Sequence, residues 1–382
     1  MMTEYQIWLQ TVLGYGNARA KEILEYFGNA KEVYKADKAK RLESKLISNK
    51  ELERMERTPI TRALKVMAEC NENDIKTVLL GDKNYPYCLS VIDNPPLVLY
   101  YKGELPNFDN IPSVCIVGPR KVSEFGKRAA YSLSYRLAGS GMTVVSGGAL
   151  GTDTYAHAGC LRAGGKTALI MGCGILSDYL KENEKLRDTV SKSGCLITEF
   201  QPNVNASRFT FPVRNRIMAA LTLGTVVIEA GERSGSLITA RYAAEMGRDV
   251  FVIPGSPDKK EYIGSNRLLR DGAKPLLDAS DIFNEYIVRF PDKINIEKAF
   301  SGKIINEKKE EKEVESKKIQ KNSHETLSKE AKIVYNQLDK QKFIPEEIKN
   351  TGLSSAELLS ALTELEMEFL IKALPGGMYE KL

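Results

Sequence analysis

Eight short apolar runs, TVLLG, LVLYYKG, SVCIVG, MTVVSGG, TALIMGCG, LITEF, TVVIEAG and DVFVIPG, punctuate residues 75–255. Runs of four to six apolar residues with little polar alternation suit strands that are covered on both faces. Between the later runs, stretches such as EFGKRAAYSLSYRLAGSG and SLITARYAAEMGR carry apolar residues at helical spacing. Strands that alternate with helices return to the same sheet in parallel, so the spacing predicts an α/β domain built on a doubly wound, mostly parallel sheet. Residues 75–110 are expected to extend that sheet.

The flanks read differently. Residues 1–72 are helical in pattern, with Leu9, Val12 and Leu13, then Ile23, Leu24 and Phe27, on either side of a Gly14-Tyr15-Gly16 turn. This is the pattern of a helix-hairpin-helix, whose glycines either let a phosphate approach or serve only as a turn in an interaction hairpin. Residues 291–326 are charged in both signs and nearly free of aromatic side chains, too polar to offset the entropy of ordering, and read as a tether. Residues 327–382 give three helical stretches and a Pro-Gly-Gly turn between short strands, the order of a winged helix. Its third helix carries Glu357, Glu364, Glu366 and Glu368 and no cation, which a DNA groove would repel. Those carboxylates either solvate an outer face or dock a protein.

With 382 residues and a formal net charge of +5, the chain has room for several domains, and a polyanion would have to be held by local clusters. The six cysteines form no C-x-x-C pair, and no stretch has the length of a membrane span or the layout of a secretion signal. A cytoplasmic protein with reduced thiols and no membrane contact is the expectation.

Ligands of doubly wound sheets bind beyond the carboxyl ends of the strands. Four loops there stand out. SVCIVG leads into Pro119-Arg120-Lys121. MTVVS leads into Ser146-Gly147-Gly148-Ala149-Leu150-Gly151-Thr152-Asp153, and TVVIEA leads toward Ser234-Gly235-Ser236. FPVRNR, residues 211–216, puts Arg214, Asn215 and Arg216 at the start of a helix, where cations oppose the helix dipole unless an anion faces them. A single bound phosphate needs one such loop, so several loops with arginines between them point to an extended polyanion. Phe209 and Phe211 stand beside the basic cluster, placed either to stack on an unpaired base or to fill core.

Catalytic signals are weak. Asp153 and His157 share a helix face, but an Asp in a first helical turn reads as a cap. Glu199 and Glu229 end strands without a metal-ligand cluster or a poised nucleophile nearby. Neither G-x-G-x-x-G after the first strand of the α/β region nor G-x-x-x-x-G-K-[ST] occurs. A nucleotide hydrolase of the lysine-decarboxylase-like group is the enzymatic alternative, although SGGALGTDT only echoes that group's Pro-Gly-Gly-x-Gly-Thr-x-x-Glu pattern and lacks its glutamate.

In their order along the chain, GPRKVSEFG, SGGALGTDTYAHAGCLRAGGKTALIMGCGI, LITEF, FPVRNRIMAALTLGTVVIEAGERSGSLITARYAAEMGRDVFVIPG and GSNRLLRDGAK resemble the DNA-processing protein A (DprA or Smf) family. The resemblance implies an extended Rossmann-like fold between a helical helix-hairpin-helix or SAM-like domain and a C-terminal winged helix. It implies a homodimer that binds and protects single-stranded DNA and helps load RecA recombinase in natural transformation, with no cofactor and no catalysis. Carried onto this chain, the family's motifs fall on Gly118-Pro119-Arg120, on Ser146, Gly147 and Gly148, on Lys181, on Arg214, Asn215 and Arg216, and on Ser234, Gly235 and Ser236; Lys121 and Phe211 join the candidate site from their places beside these loops. Pro119 and Leu180 depart from the family pattern.

Overall fold

The computed structural model describes residues 2–179, 181–301, 327–338, 342–348, 351–368, 370–374 and 378–381. The described residues up to 301 form one compact unit and those from 327 a second. In the first, six helices come before the sheet: α1 (Thr3–Leu13), α2 (Ala20–Phe27), α3 (Ala30–Lys35), α4 (Lys38–Glu43), α5 (Asn49–Arg57) and α6 (Thr61–Glu72). Their core, which includes Trp8, Val12, Ile23 and Val66, continues without a break into Val98 and Tyr100 of the sheet.

All eight runs become strands: β1 (Lys76–Leu79), β2 (Val98–Gly103), β3 (Ser113–Val117), β4 (Thr143–Ser146), β5 (Thr167–Ile170), β6 (Cys195–Thr198), β7 (Gly224–Val227) and β8 (Asp249–Val252). A ninth, β9 (Lys274–Pro275), is too short to leave an apolar run in the sequence. The sheet order is β1-β2-β6-β5-β4-β3-β7-β8-β9. From β6 to β9 every pairing is parallel; β1 and β2 extend the edge antiparallel. The strand order reverses between β3 and β7, so the loops after those two strands diverge and leave a crevice at the carboxyl edge of the sheet.

Helices cover both faces. On one, α8 (Glu124–Gly139), α9 (Thr152–Arg162), α14 (Ala279–Tyr286) and α15 (Ile296–Ser301) bury Leu133, Leu137, Ala156, Phe283 and Ala299 against β3, β4 and β7. On the other, α7 (Tyr87–Ser90), α11 (Thr210–Ala220), α12 (Ser236–Glu245) and α13 (Ile263–Arg270) surround Ile217, Met218 and Ala240; α10 (Glu184–Ser193) lies against β5 and β6. Residues 291–301, expected to open the tether, instead pack on this core, where Ile294 and Ala299 are buried. Residues 302–326, most of that expected tether, lie outside the described residues, as do Leu180 and the Pro-Gly-Gly turn.

The second unit contains α16 (Lys329–Asn336), α17 (Ser355–Met367) and a three-stranded antiparallel sheet of β10 (Lys342–Phe343), β12 (Met378–Lys381) and β11 (Ile371–Leu374), with β12 central. The stretch expected to be a helix near PEEIKN is a single 3-10 turn, Pro345–Glu347. Ala331, Val334, Leu362 and Leu365 form its core. Two glutamates of α17 have local structural roles: Glu357 closes a capping box with Ser354, and Glu364 accepts from Ser328 N and Oγ, both at 2.7 Å.

Two buried glutamines of α1 join the N-terminal helices to the sheet. Gln6 Nε2 donates to the carbonyls of Leu80 (2.9 Å) and Leu97 (3.3 Å). Gln10 Nε2 donates to Val98 O (3.1 Å), and its Oε1 accepts from Tyr100 OH (3.2 Å). Truncation strands both partners in apolar surroundings, so Gln10→Ala should cost about 1–3 kcal/mol in a urea titration, mostly as a lowered midpoint.

Candidate nucleic-acid interface

The loops picked out in the sequence do meet at the carboxyl edge of the sheet, but they divide into a buried layer and an exposed rim. Ser146, Gly147, Gly148, Arg214, Asn215, Arg216 and Ser236 are buried; Arg120, Lys121, Lys181 and Gly235 are exposed, with Phe211 and Ser234 between.

The expectation that Arg214 and Arg216 meet phosphates is corrected, because their guanidinium groups turn inward. Arg214 Nη1 donates to Gly147 O at 2.6 Å and Ile170 O at 2.5 Å, and Nε to Asn215 Oδ1 at 3.0 Å. These carbonyls end β4 and β5, so one cation joins two strand termini to the first turns of α11. Gly147 is required by that approach, since a β-carbon there would overlap the guanidinium. Asp153 lies close to this cation. Burial lifts its pKa above the usual carboxylate value, opposed by Arg214 and by the Ala149 N–H, which donates to Asp153 Oδ2 at 3.0 Å. Arg216, 1% exposed, pairs with Glu199 at 2.5 Å, and Glu199 also accepts from Gly16 N at 3.0 Å. The anion facing these arginines is thus supplied by the protein. Gly16 spends its N–H on a carboxylate, which favours the hairpin reading that has no phosphate.

A second internal carboxylate stands at the crevice. Glu229, fully buried, accepts from Ser123 N (3.1 Å), Ser123 Oγ and Tyr262 OH (3.0 Å), and Ser123 caps α8. The helix N-terminus after the first strand of a doubly wound domain is where a mononucleotide phosphate usually sits; here Glu229 supplies the negative charge. Asp153, Glu199 and Glu229 therefore hold loops in place. His157 is likewise internal, with Nδ1 2.8 Å from Thr167 Oγ1.

Pro119 keeps a backbone role despite having no N–H. Its carbonyl accepts from Thr152 N (3.3 Å) and Thr152 Oγ1 (3.2 Å), tying the 118–121 loop to the start of α9. Gly151, at φ +82°, passes so close to the carbonyls of Pro119 and Arg120 that a side chain could not fit.

On the rim, the Arg120 guanidinium lies 5.2 Å from the Phe211 ring centroid, and Tyr179 packs against the same ring at 5.4 Å. Sequence reasoning left Arg208 out of the site; it is exposed, with its guanidinium 4.8 Å from the ring of Phe209, itself 69% exposed. The available signal was position: Arg208 lies three residues before Phe211, at the mouth of α11. Together the rim offers separated cations around two aromatic faces.

Comparison with known proteins identifies the family and supports the fold. The family model for DNA recombination-mediator protein A matches residues 76–287. The chain belongs to that family. It is 34% identical to protein Smf of Synechocystis over 73% of this chain and 72% of that one, and 37% identical to DNA processing protein DprA of Bacillus subtilis over 58% and 74%. Among solved structures it resembles Streptococcus pneumoniae DprA (TM-score 0.65, 32% identity, 74% of this chain and 98% of that one). It also resembles Helicobacter pylori DprA (TM-score 0.51, 27% identity, 56% and 96%), a structure described for its single-stranded DNA binding mode.

Two outcomes follow for the buried layer. Arg214→Met leaves Asp153 without its cation and two strand-end carbonyls without their donor, so it should cost about 3–5 kcal/mol in a urea titration. Burial holds His157 neutral and lowers its pKa from 6.5 to about 3. Between those values the unfolded chain binds one more proton, so stability should fall as pH drops through this window, at up to about 1.4 kcal/mol per pH unit. Urea midpoints across that range should show a flatter acid limb in His157→Asn.

Proposed function

We propose that this protein binds single-stranded DNA along the rim at the carboxyl edge of its sheet, without catalysis. The observation that carries the reading is the separation of roles among the basic residues: Arg214 and Arg216 are consumed inside, while Arg120, Lys121, Lys181 and Arg208 remain exposed around Phe211 and Phe209. Spaced cations suit consecutive phosphates, and ring faces suit unpaired bases of any identity. Ser234 and Gly235 border the same edge. Ser146, Gly147, Gly148, Asn215 and Ser236 act through the loops they hold. Membership of the recombination-mediator family supports the reading, as does the binding described for the H. pylori relative. A hydrolase of nucleoside monophosphates is disfavoured by Glu229, whose charge already occupies the α8 terminus.

The proposal extends, on family membership, to a homodimer that passes bound strand to RecA recombinase, to a central domain at residues 73–290 and to a winged-helix role for residues 327–382. Among the described residues no helix is long and apolar enough to cross a membrane.

The test is a fluorescence-anisotropy salt titration with single-stranded and duplex oligonucleotides of one length. Single strands should bind more tightly than duplex and lose affinity with a log-log slope of about −0.7 per phosphate neutralised. Arg120→Ala should make that slope shallower by about 0.7, and Phe211→Ala should weaken binding by about 1–3 kcal/mol with the slope unchanged. Cleavage of nucleoside monophosphates at enzymatic rates with no oligonucleotide binding would overturn the reading.

A further inference from the structure

The glycine hairpin of the N-terminal helices is not absorbed by the site described above, yet it touches it. A β-carbon on Gly16 would stand 3.4 Å from Val213 Cγ1 and 3.5 Å from Arg216 Nε, so the turn lies directly on the first turns of α11. Tyr15, beside it, packs edge-on against Phe200 at 4.6 Å. Gln201 Nε2 donates to Thr11 Oγ1 at 2.7 Å, and Asn203 Nδ2 donates to Glu69 Oε2 at 3.0 Å. Helices α1 and α6 are therefore bound to the loop that runs from β6 toward Arg208 and Phe209.

Two exposed cations occupy this junction. Gly14, two residues before Gly16, would place a β-carbon 3.9 Å from Arg54 Nη1. Residues two apart lie no more than about 7 Å from one another, so Arg54 flanks the same turn that packs on Val213. Arg62, in the first turn of α6, lies near the Tyr15 phenol, whose pKa burial raises to about 12 against the opposing pull of that guanidinium. The nearby acids are partly engaged: Glu51 pairs with Arg19, Glu56 with Lys38, and Glu69 holds Asn203, while Glu53 is exposed.

We infer that Arg54 and Arg62 extend the single-strand path from Arg208 across the hairpin onto the N-terminal helices, as phosphate contacts used only by strands long enough to reach them. The hairpin thus contributes as a rigid bracket beside which α5 and α6 present Arg54 and Arg62, without itself holding phosphate. Its glycines serve close packing on α11 and the carboxylate of Glu199.

This inference rests on the proposed single-strand binding, and the experiment separates the two. Oligodeoxythymidylates of about 8 to 40 nucleotides are titrated against the full chain, Arg54→Ala/Arg62→Ala, Arg54→Lys/Arg62→Lys and Arg120→Ala. For long strands the alanine pair should make the salt slope shallower by about 1.4, which shrinks the wild-type advantage roughly sevenfold between 50 and 200 mM salt. For the shortest strand that binds, the alanine pair should match wild type. The lysine pair should keep the wild-type slope, and thermal midpoints should stay level. An unchanged long-strand slope in the alanine pair, or a slope lost equally in the lysine pair, overturns the extension while leaving the rim reading intact if Arg120→Ala still weakens binding. Absence of single-strand binding by the unmodified chain overturns both.

Discussion

The guanidinium of Arg214 is the point on which the carboxyl edge of the sheet depends. It accepts a large desolvation cost, offset by the carbonyls of Gly147 and Ile170, by Asn215 and by the charge of Asp153. In return, the ends of β4 and β5, the start of α9 and the first turns of α11 have a single geometry relative to one another. Asn183 adds a second tie, from its Nδ2 to Gly148 O at 3.0 Å. The exposed residues of the rim are short extensions of these pinned loops, so their spacing is inherited from a buried network.

A common logic links the three buried carboxylates. Helix starts and glycine turns with free N–H groups attract anions, and in many doubly wound proteins that anion is a nucleotide phosphate. Here Glu229 accepts from the residue that caps α8, Asp153 accepts within the glycine loop, and Glu199 accepts from the hairpin. Each removes a place for an isolated phosphate. What remains outside is a set of exposed side-chain cations and ring faces, a surface suited to a chain of phosphates held through many weak contacts. On the proposed reading, the arrangement exchanges affinity for a mononucleotide for affinity for a strand.

Most of the fold was legible. Eight strands announce themselves because a sheet buried on both faces requires uninterrupted apolar runs, whereas β9, a two-residue pairing at the edge, requires none. The ordered segment after residue 291 was hidden because its anchors, Ile294, Ile296, Ala299 and Phe300, are scattered among charged residues that dominate the composition. The loops were likewise legible from their glycines, but which way each arginine faces was not. Arg214 and Arg216 look misplaced at a helix start, and the misplacement did signal anions. A sequence cannot state whether the anion is a bound phosphate or a glutamate such as Glu199, 17 residues upstream of Arg216. Arg208 was missed for the complementary reason: it breaks no local rule, since an exposed arginine is ordinary.

Charge is also divided along the chain. Residues 327–382 hold seven lysines and nine acidic residues, so the net positive charge of the whole resides in the part before them. Two of the α17 acids cannot be shed without structural loss, because Glu357 caps its own helix and Glu364 anchors the start of α16. A groove-reading helix needs neutral or basic side chains facing phosphates on both sides. Two glutamates fixed on α17 are poorly disposed toward a duplex groove, whereas in the first unit the buried arginines set the geometry of a rim whose exposed cations suit the proposed single-strand binding.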